Sequence, residues 1–173
     1  MRMFSFTRLH LILCGLICAL ALSACGFQMR GVQNMAFENL YIQGSTLSIS
    51  KALKKSLAVN GVKIVSDPEQ AELMLELMGE SSEKRILSLS GTGVVREFEL
   101  YYRVHFRLRD PASETWGDVQ MIEGRRDFSY TDAELLAKSF EETRLNDDMR
   151  ADAVREIMRR LVVQKPSKSK STG

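Results

Sequence analysis

The stretch Glu97-Phe98-Glu99-Leu100-Tyr101-Tyr102-Arg103-Val104-His105-Phe106-Arg107-Leu108-Arg109 decides the fold. Its even positions are Phe98, Leu100, Tyr102, Val104, Phe106 and Leu108; its odd positions are acidic, basic, His or Tyr. A period of two over a dozen residues is the pattern of a strand with one face in a core and the other on a polar surface. A helix would place both sets on every side of its axis. The apolar face has to pack on helices, so the rest of the chain must supply them.

Working toward the C-terminus, Asp110-Pro111 ends the strand, and Trp116 to Tyr130 reads as the return strand of a hairpin. Thr131-Asp132-Ala133-Glu134 fits the S/T-x-x-E capping box. From there an apolar stripe is expected to start at Leu136 and Phe140 and to continue through Leu145, Met149, Ala153, Ile157 and Leu161, widened by Val154 and Met158. Asn146-Asp147-Asp148 marks an expected kink or break. The tail 164–173 is Lys, Ser and Pro with no apolar residue, and is expected to be disordered.

Working toward the N-terminus, Gly91-Thr92-Gly93 is a turn, and Ala71 to Leu89 reads as a strand although Leu73 to Met78 is apolar on both parities. Asp67-Pro68 is another turn and Val62-Lys63-Ile64-Val65 a short strand. Leu47 to Asn60 repeats Ile49, Leu53 and Leu57 at i, i+4 and is an amphipathic helix, closed by Asn60-Gly61. Phe37 to Ile42 is a first strand. The order is β-α-β-β-β-β-α, or one strand fewer. The expected fold is α+β: a two-layer sandwich over residues 36–163, with a mostly antiparallel four- to five-stranded sheet and two helices on one face.

Composition removes several functions. The 173 residues hold three cysteines, Cys14, Cys18 and Cys25, all near the N-terminus, and His105 is the one histidine beyond them. No zinc-type ligand cluster or thiol–imidazole pair can be assembled, so no metal and no cofactor is expected. His105 stands among Arg103, Arg107 and Arg109, a poor setting for a base. Gly91-Thr92-Gly93 lacks the strand–turn–helix context of a phosphate loop. An enzyme is not expected. The near balance of 24 Lys+Arg against 22 Asp+Glu also gives no case for nucleic acid.

Residues 1–24 read as an address. Arg2 and Arg8 precede an apolar stretch from Leu9 to Leu22, shorter than the roughly 20 residues that span a bilayer. Leu22-Ser23-Ala24-Cys25 resembles the bacterial lipobox, with a signal peptide over 1–24 and a mature chain starting at Cys25. That resemblance implies N-acylation and an S-diacylglycerol on Cys25, with residues 25–35 as tether. An ordinary signal peptide or a short membrane anchor is the alternative. Two acyl chains suffice for stable attachment at about 0.8 kcal/mol per buried CH₂. Gly26 stands where an Asp would signal inner-membrane retention, which implies the outer membrane and a periplasmic orientation. Two arginines and no acid lie in 1–24, which leaves 22 bases and 22 acids beyond it.

The basic residues offer two readings. Arg96, Arg103, Arg107 and Arg109 lie on or near the decisive strand, Arg125 and Arg126 on its neighbour, and Lys138 opens the last helix. They form a face for a phosphorylated glycolipid, since guanidinium forks match phosphate. Alternatively, they pair with Glu97, Glu99 and Asp127 on a solvated face.

Cys25-Gly26-Phe27-Gln28-Met29-Arg30-Gly31 resembles the opening of the LptE family of lipopolysaccharide-assembly lipoproteins. The helix running into Val62-Lys63-Ile64-Val65, the Glu97–Leu108 strand, and Leu136-Ala137-Lys138 before a helix ending Arg159-Arg160-Leu161 resemble it too. The resemblance implies an outer-membrane lipoprotein that plugs and helps assemble the LptD β-barrel translocon. It also implies binding of lipopolysaccharide for insertion into the outer leaflet. Lys138 matches a family base; the other family base precedes the long strand, where this chain has Gly91-Thr92-Gly93 and Arg96 stands nearby. The candidate lipopolysaccharide contacts are therefore Lys138, Arg96, Arg103 and Arg107. A generic envelope scaffold lipoprotein is the alternative.

Overall fold

A computed structural model describes residues 35–131 and 135–167. Five strands and two helices follow in the order β1 (Asn39–Gly44), α1 (Ser50–Val59), β2 (Lys63–Val65), β3 (Leu73–Leu89), β4 (Val95–Arg109), β5 (Gln120–Ser129) and α2 (Leu135–Val162). This is the expected α+β order with five strands. The sheet is mixed and mostly antiparallel, in the order β2-β1-β3-β4-β5. β1 runs parallel to both its neighbours, whereas β3, β4 and β5 form an antiparallel meander.

β4 behaves as its alternation requires. Leu100, Tyr102, Val104, Phe106 and Leu108 are buried. They pack with Leu53 and Leu57 of α1 and with Met149, Ala153, Ile157 and Leu161 of α2 in one core. The odd positions of β4 face away from this core, on the open side of the sheet.

β3 contains the turn of geometry that the sequence conceals. Leu75 pairs with Leu108 and Leu77 with Phe106, but the next pair is Gly79 with His105, so β3 carries one extra residue at Met78–Gly79. A bulge of this kind changes which residues face each side. Before it, Leu73, Leu75 and Leu77 face the core. After it, Glu80, Ser82, Lys84 and Ile86 stand opposite Val104, Tyr102, Leu100 and Phe98, and so turn toward the helix layer. Further irregularities follow at Leu87 and Arg96.

One polar network pins the layers together. Glu80 accepts from Ser48 N at 2.6 Å and from Ser48 Oγ at 2.7 Å, and Tyr102 Oη donates to it at 2.5 Å. Burial opposes the carboxylate's charge, but these donors outweigh that opposition and hold the Glu80 pKa below its usual value. Burial and the hydrogen bond to Glu80 push the Tyr102 phenol upward.

Ile49 occupies the N-cap position of α1 without a side-chain bond, and Ser50 Oγ accepts from Leu47 N at 2.9 Å. Three local expectations are corrected. Trp116 to Val119 lie outside β5, because the Gly117 N–H donates to Leu108 O at 2.9 Å and folds the loop back on β4. α2 runs unbroken through Asn146-Asp147-Asp148; Asn146 Nδ2 donates to Glu142 O at 2.9 Å and Arg150 pairs with Asp147. Leu136 and Phe140 are 77% and 75% exposed and do not belong to the core stripe. The start of the tail also differs: Pro166 is buried, and Ser167 N and Oγ donate to Asp110 at 2.8 and 2.7 Å. The capping box at Thr131–Glu134 falls largely outside the described residues, as do Cys25 and residues 168–173.

Candidate functional site

A cleft of about 330 Å³ opens where the far end of the β3–β4 hairpin meets the first turns of α2. β4, β5 and the residue that follows β5 supply its floor. Phe98 of β4 and Phe128 of β5 are cross-strand partners with ring centroids 5.8 Å apart, and Tyr130 meets Phe98 edge-on at 5.1 Å. Val95 extends the apolar surface. Tyr130 is held in place by its own N–H, which donates to Arg96 O at 2.7 Å.

Two lysines enter this cleft from opposite layers. Lys84 does so because the bulge turned β3: its Nζ lies 4.3 Å from the Phe98 centroid, 5.7 Å from that of Phe128, and 2.5 Å from the Glu142 carboxylate of α2. An ammonium over a ring face is attracted by the ring quadrupole, more strongly as water is removed. Lys138 comes from α2. Its side chain is only 13% exposed, 2.9 Å from Glu141 and 3.3 Å from Ser129 Oγ. Two ammonium groups over an aromatic floor suit an anionic group carried on a ring or other apolar body. The pairing acids, Glu141 and Glu142, are ones such an anion would displace.

The four candidate bases do not come together. Lys138 lies in the cleft. Arg96 sits at the β4 irregularity beside it, its side chain exposed. Arg103 and Arg107 point to the opposite, open face. Arg103 is bound by Glu123 at 2.5 Å and Glu83 at 3.1 Å, and Arg107 pairs with Glu76. The Arg107 hydrogen bond, with help from Gln43, holds the Glu76 pKa below its usual value against the opposing pull of burial. On this face the acids are Glu76, Glu83 and Glu123 for these two arginines, while Glu99 pairs with Arg125. Lys84 escaped sequence reasoning, since nothing in the β3 sequence marks where its parity shifts. Among the described residues no group of three or more His, Cys, Asp or Glu is placed to hold a metal, and no helix is long and apolar enough to cross a membrane.

Fold and cleft together define a class of small two-layer α+β domain with a lysine-bearing aromatic cleft at one end of its sheet. The chain is similar to the solved uncharacterized lipoprotein B of Nitrosomonas europaea, with a TM-score of 0.70 and 39% identity over 79% of this chain and 90% of that one. It is similar to the rare lipoprotein B of Shewanella oneidensis as well, with a TM-score of 0.64 and 33% identity over 70% and 92%. The family model described as "LptE: Lipopolysaccharide-assembly" matches residues 32–161, and the chain belongs to that family. Curated relatives agree. The LPS-assembly lipoprotein LptE of Yersinia enterocolitica is 27% identical over 161 residues, 90% of this chain and 76% of that protein. That of Photorhabdus laumondii is 28% identical over 161 residues, 90% and 86% respectively.

Proposed function

We propose that this chain is acylated at Cys25, is held in the outer membrane facing the periplasm, and sits in the lumen of the LptD β-barrel. There it binds lipopolysaccharide during insertion into the outer leaflet. The cleft carries the binding half of this reading. Lys138 and Lys84 offer two ammonium groups to a phosphate, Phe98 and Tyr130 offer ring faces to a sugar, and Arg96 stands at the margin. Arg103 and Arg107, already closed by carboxylates, belong on this reading to the surface that meets the barrel. A face of interleaved opposite charges suits a polar lumen, and an evenly balanced mature chain enters it without a large self-energy.

Binding of purified lipopolysaccharide to the detergent-solubilised chain tests the cleft. Lys84→Gln and Lys138→Gln together are expected to weaken it about tenfold or more, since each removes a charge-assisted contact. Arg103→Gln is expected to change it little. Unchanged binding in the double variant would remove lipopolysaccharide from the cleft. Cys25→Ser is expected to release the chain from membranes, and its retention there would contradict the anchor.

A further inference from the structure

At the other end of the open face, away from the cleft, Arg109 stands apart from its neighbours on β4. Arg103 and Arg107 each hold a carboxylate. Arg109 does not: among the described residues its partners are the thioether of Met74, with Nε at 3.3 Å and Nη2 at 3.0 Å from Sδ, and the ring of Trp116, 5.3 Å from its guanidinium carbon. A thioether is a weak acceptor, so the hydrogen-bonding capacity of a half-buried guanidinium is left largely unspent.

The group is nevertheless fixed. Trp116 is stacked against Arg107 as well, at 4.9 Å. Its loop is tied down by Gly117 N to Leu108 O, by Ala112 N to Asp110 Oδ1 at 2.9 Å, and by the Ser167 bonds to the same aspartate. Arg109 lines an open cavity of about 430 Å³ with Pro68, Glu69, Met74 and Pro111. A preorganised Arg–Trp pair beside a hollow walled by two prolines, a methionine and Glu69 has the composition of an interface anchor.

We infer that Arg109, seated on Met74 and stacked on Trp116, is the anchor for one acidic side chain of a protein partner. A single guanidinium with one unspent edge matches one planar carboxylate. Pro68, Met74 and Pro111 suit the methylenes of an Asp or Glu. The Glu69 carboxylate in the same cavity lowers its net positive charge, which disfavours a dianionic phosphate more than a single carboxylate. The partner is the barrel of the proposed function, and the inference rests on that reading.

The test compares Arg109→Glu with Arg155→Glu, a charge reversal on the exposed side of α2, in the acylated full-length chain purified from its own membranes. The barrel retained after a 0.5 M NaCl wash is measured alongside the melting temperature. Arg109→Glu is expected to lose about thirty-fold of the binding, the scale of one hot-spot contact, while Arg155→Glu loses little. A photoreactive benzoylphenylalanine in place of Trp116 is expected to give an adduct with a barrel peptide that contains Asp or Glu. Equal retention by both variants, or adducts at this position with lipopolysaccharide or a second copy of the chain, overturns the anchor and leaves the proposed function standing. A wild-type chain that retains no barrel overturns both.

Discussion

Replacing Tyr102 with Phe tests the idea that the half-buried Glu80 is a tie between the layers and not an incidental surface acid. The substitution leaves the ring in the core and removes one oxygen, so no cavity forms. What is lost is a 2.5 Å hydrogen bond to a carboxylate. Bonds to charged groups contribute about 1.5–3 kcal/mol. Ser48 N and Oγ remain on Glu80, so the low end, about 1.5–2 kcal/mol, is expected at neutral pH. For a domain of this length that lowers the melting temperature by roughly 5–8 °C. The pH dependence gives a second signature. The folded Glu80 pKa lies below its ordinary value of 4.5, so its ionisation adds stability that is present above about pH 4.5 and is lost as pH falls through the folded value. Wild type and variant should therefore differ fully at pH 7 and converge in acid. Thermal denaturation followed by circular dichroism at pH 7 and pH 3.5 measures both. A gap that does not narrow in acid, or a Tyr102→Phe protein as stable as wild type at pH 7, would refute the reasoning.

Gly44 has a φ of +94°, and a β-carbon there would lie 2.1 Å from Leu77 O across the β1–β3 pair. Gly44→Ala is expected to cost about 3 kcal/mol or more in denaturant unfolding, because backbone would have to move. Leu136→Ser and Phe140→Ser, both on exposed side chains, are expected to stay within about 0.5 kcal/mol of wild type, against about 2–5 kcal/mol for Met149→Ala in the core. Truncation after Val163 is expected to cost about 1–2 kcal/mol, through loss of the Ser167 bonds to Asp110 and the burial of Pro166, whereas truncation after Ser167 should be neutral by the same assay.

The parts of the fold legible in the sequence were those where one local period governs a whole element. β4 alternates cleanly because a single row of helices covers one of its faces, and α1 shows its stripe because it packs on one side only. Legibility failed where the pattern depends on a partner element. Leu136 and Phe140 precede Leu145 and Met149 in an apparently continuous stripe, yet the step of five from Phe140 to Leu145 rotates the face by about 140° on a helix of 3.6 residues per turn. The first pair is thus carried out to solvent. Trp116 looks like strand because it is large and aromatic, but its loop closes through a backbone bond from Gly117 that no side chain announces. Lys138 was found by its likeness to a family segment, not by its environment.

The Met78–Gly79 bulge links these failures to the site. Were β3 regular over this same sequence, the alternation of Leu73, Leu75 and Leu77 would continue through Gly79, Ser81, Glu83 and Arg85 on the core side. Glu80 and Lys84 would then project from the open face among its arginines. The extra residue exchanges those sets. It delivers a carboxylate to Tyr102 and Ser48, where it ties the layers, and two pleat repeats further on it delivers an ammonium to Phe98, where it completes the cleft. The same shift moves Glu83 to the open face, where it takes up Arg103. One further residue inserted beside Gly79 reverses that parity and should damage stability and cleft together, whereas deleting Gly79 only straightens β3, because Glu80 stays opposite Val104 and Lys84 opposite Leu100. The decisive comparison is between an Ala inserted after Gly79 and Tyr102→Phe. If the insertion lowers melting temperature no more than Tyr102→Phe and leaves lipopolysaccharide binding intact, Lys84 does not reach the cleft through the bulge and the cleft assignment fails with it.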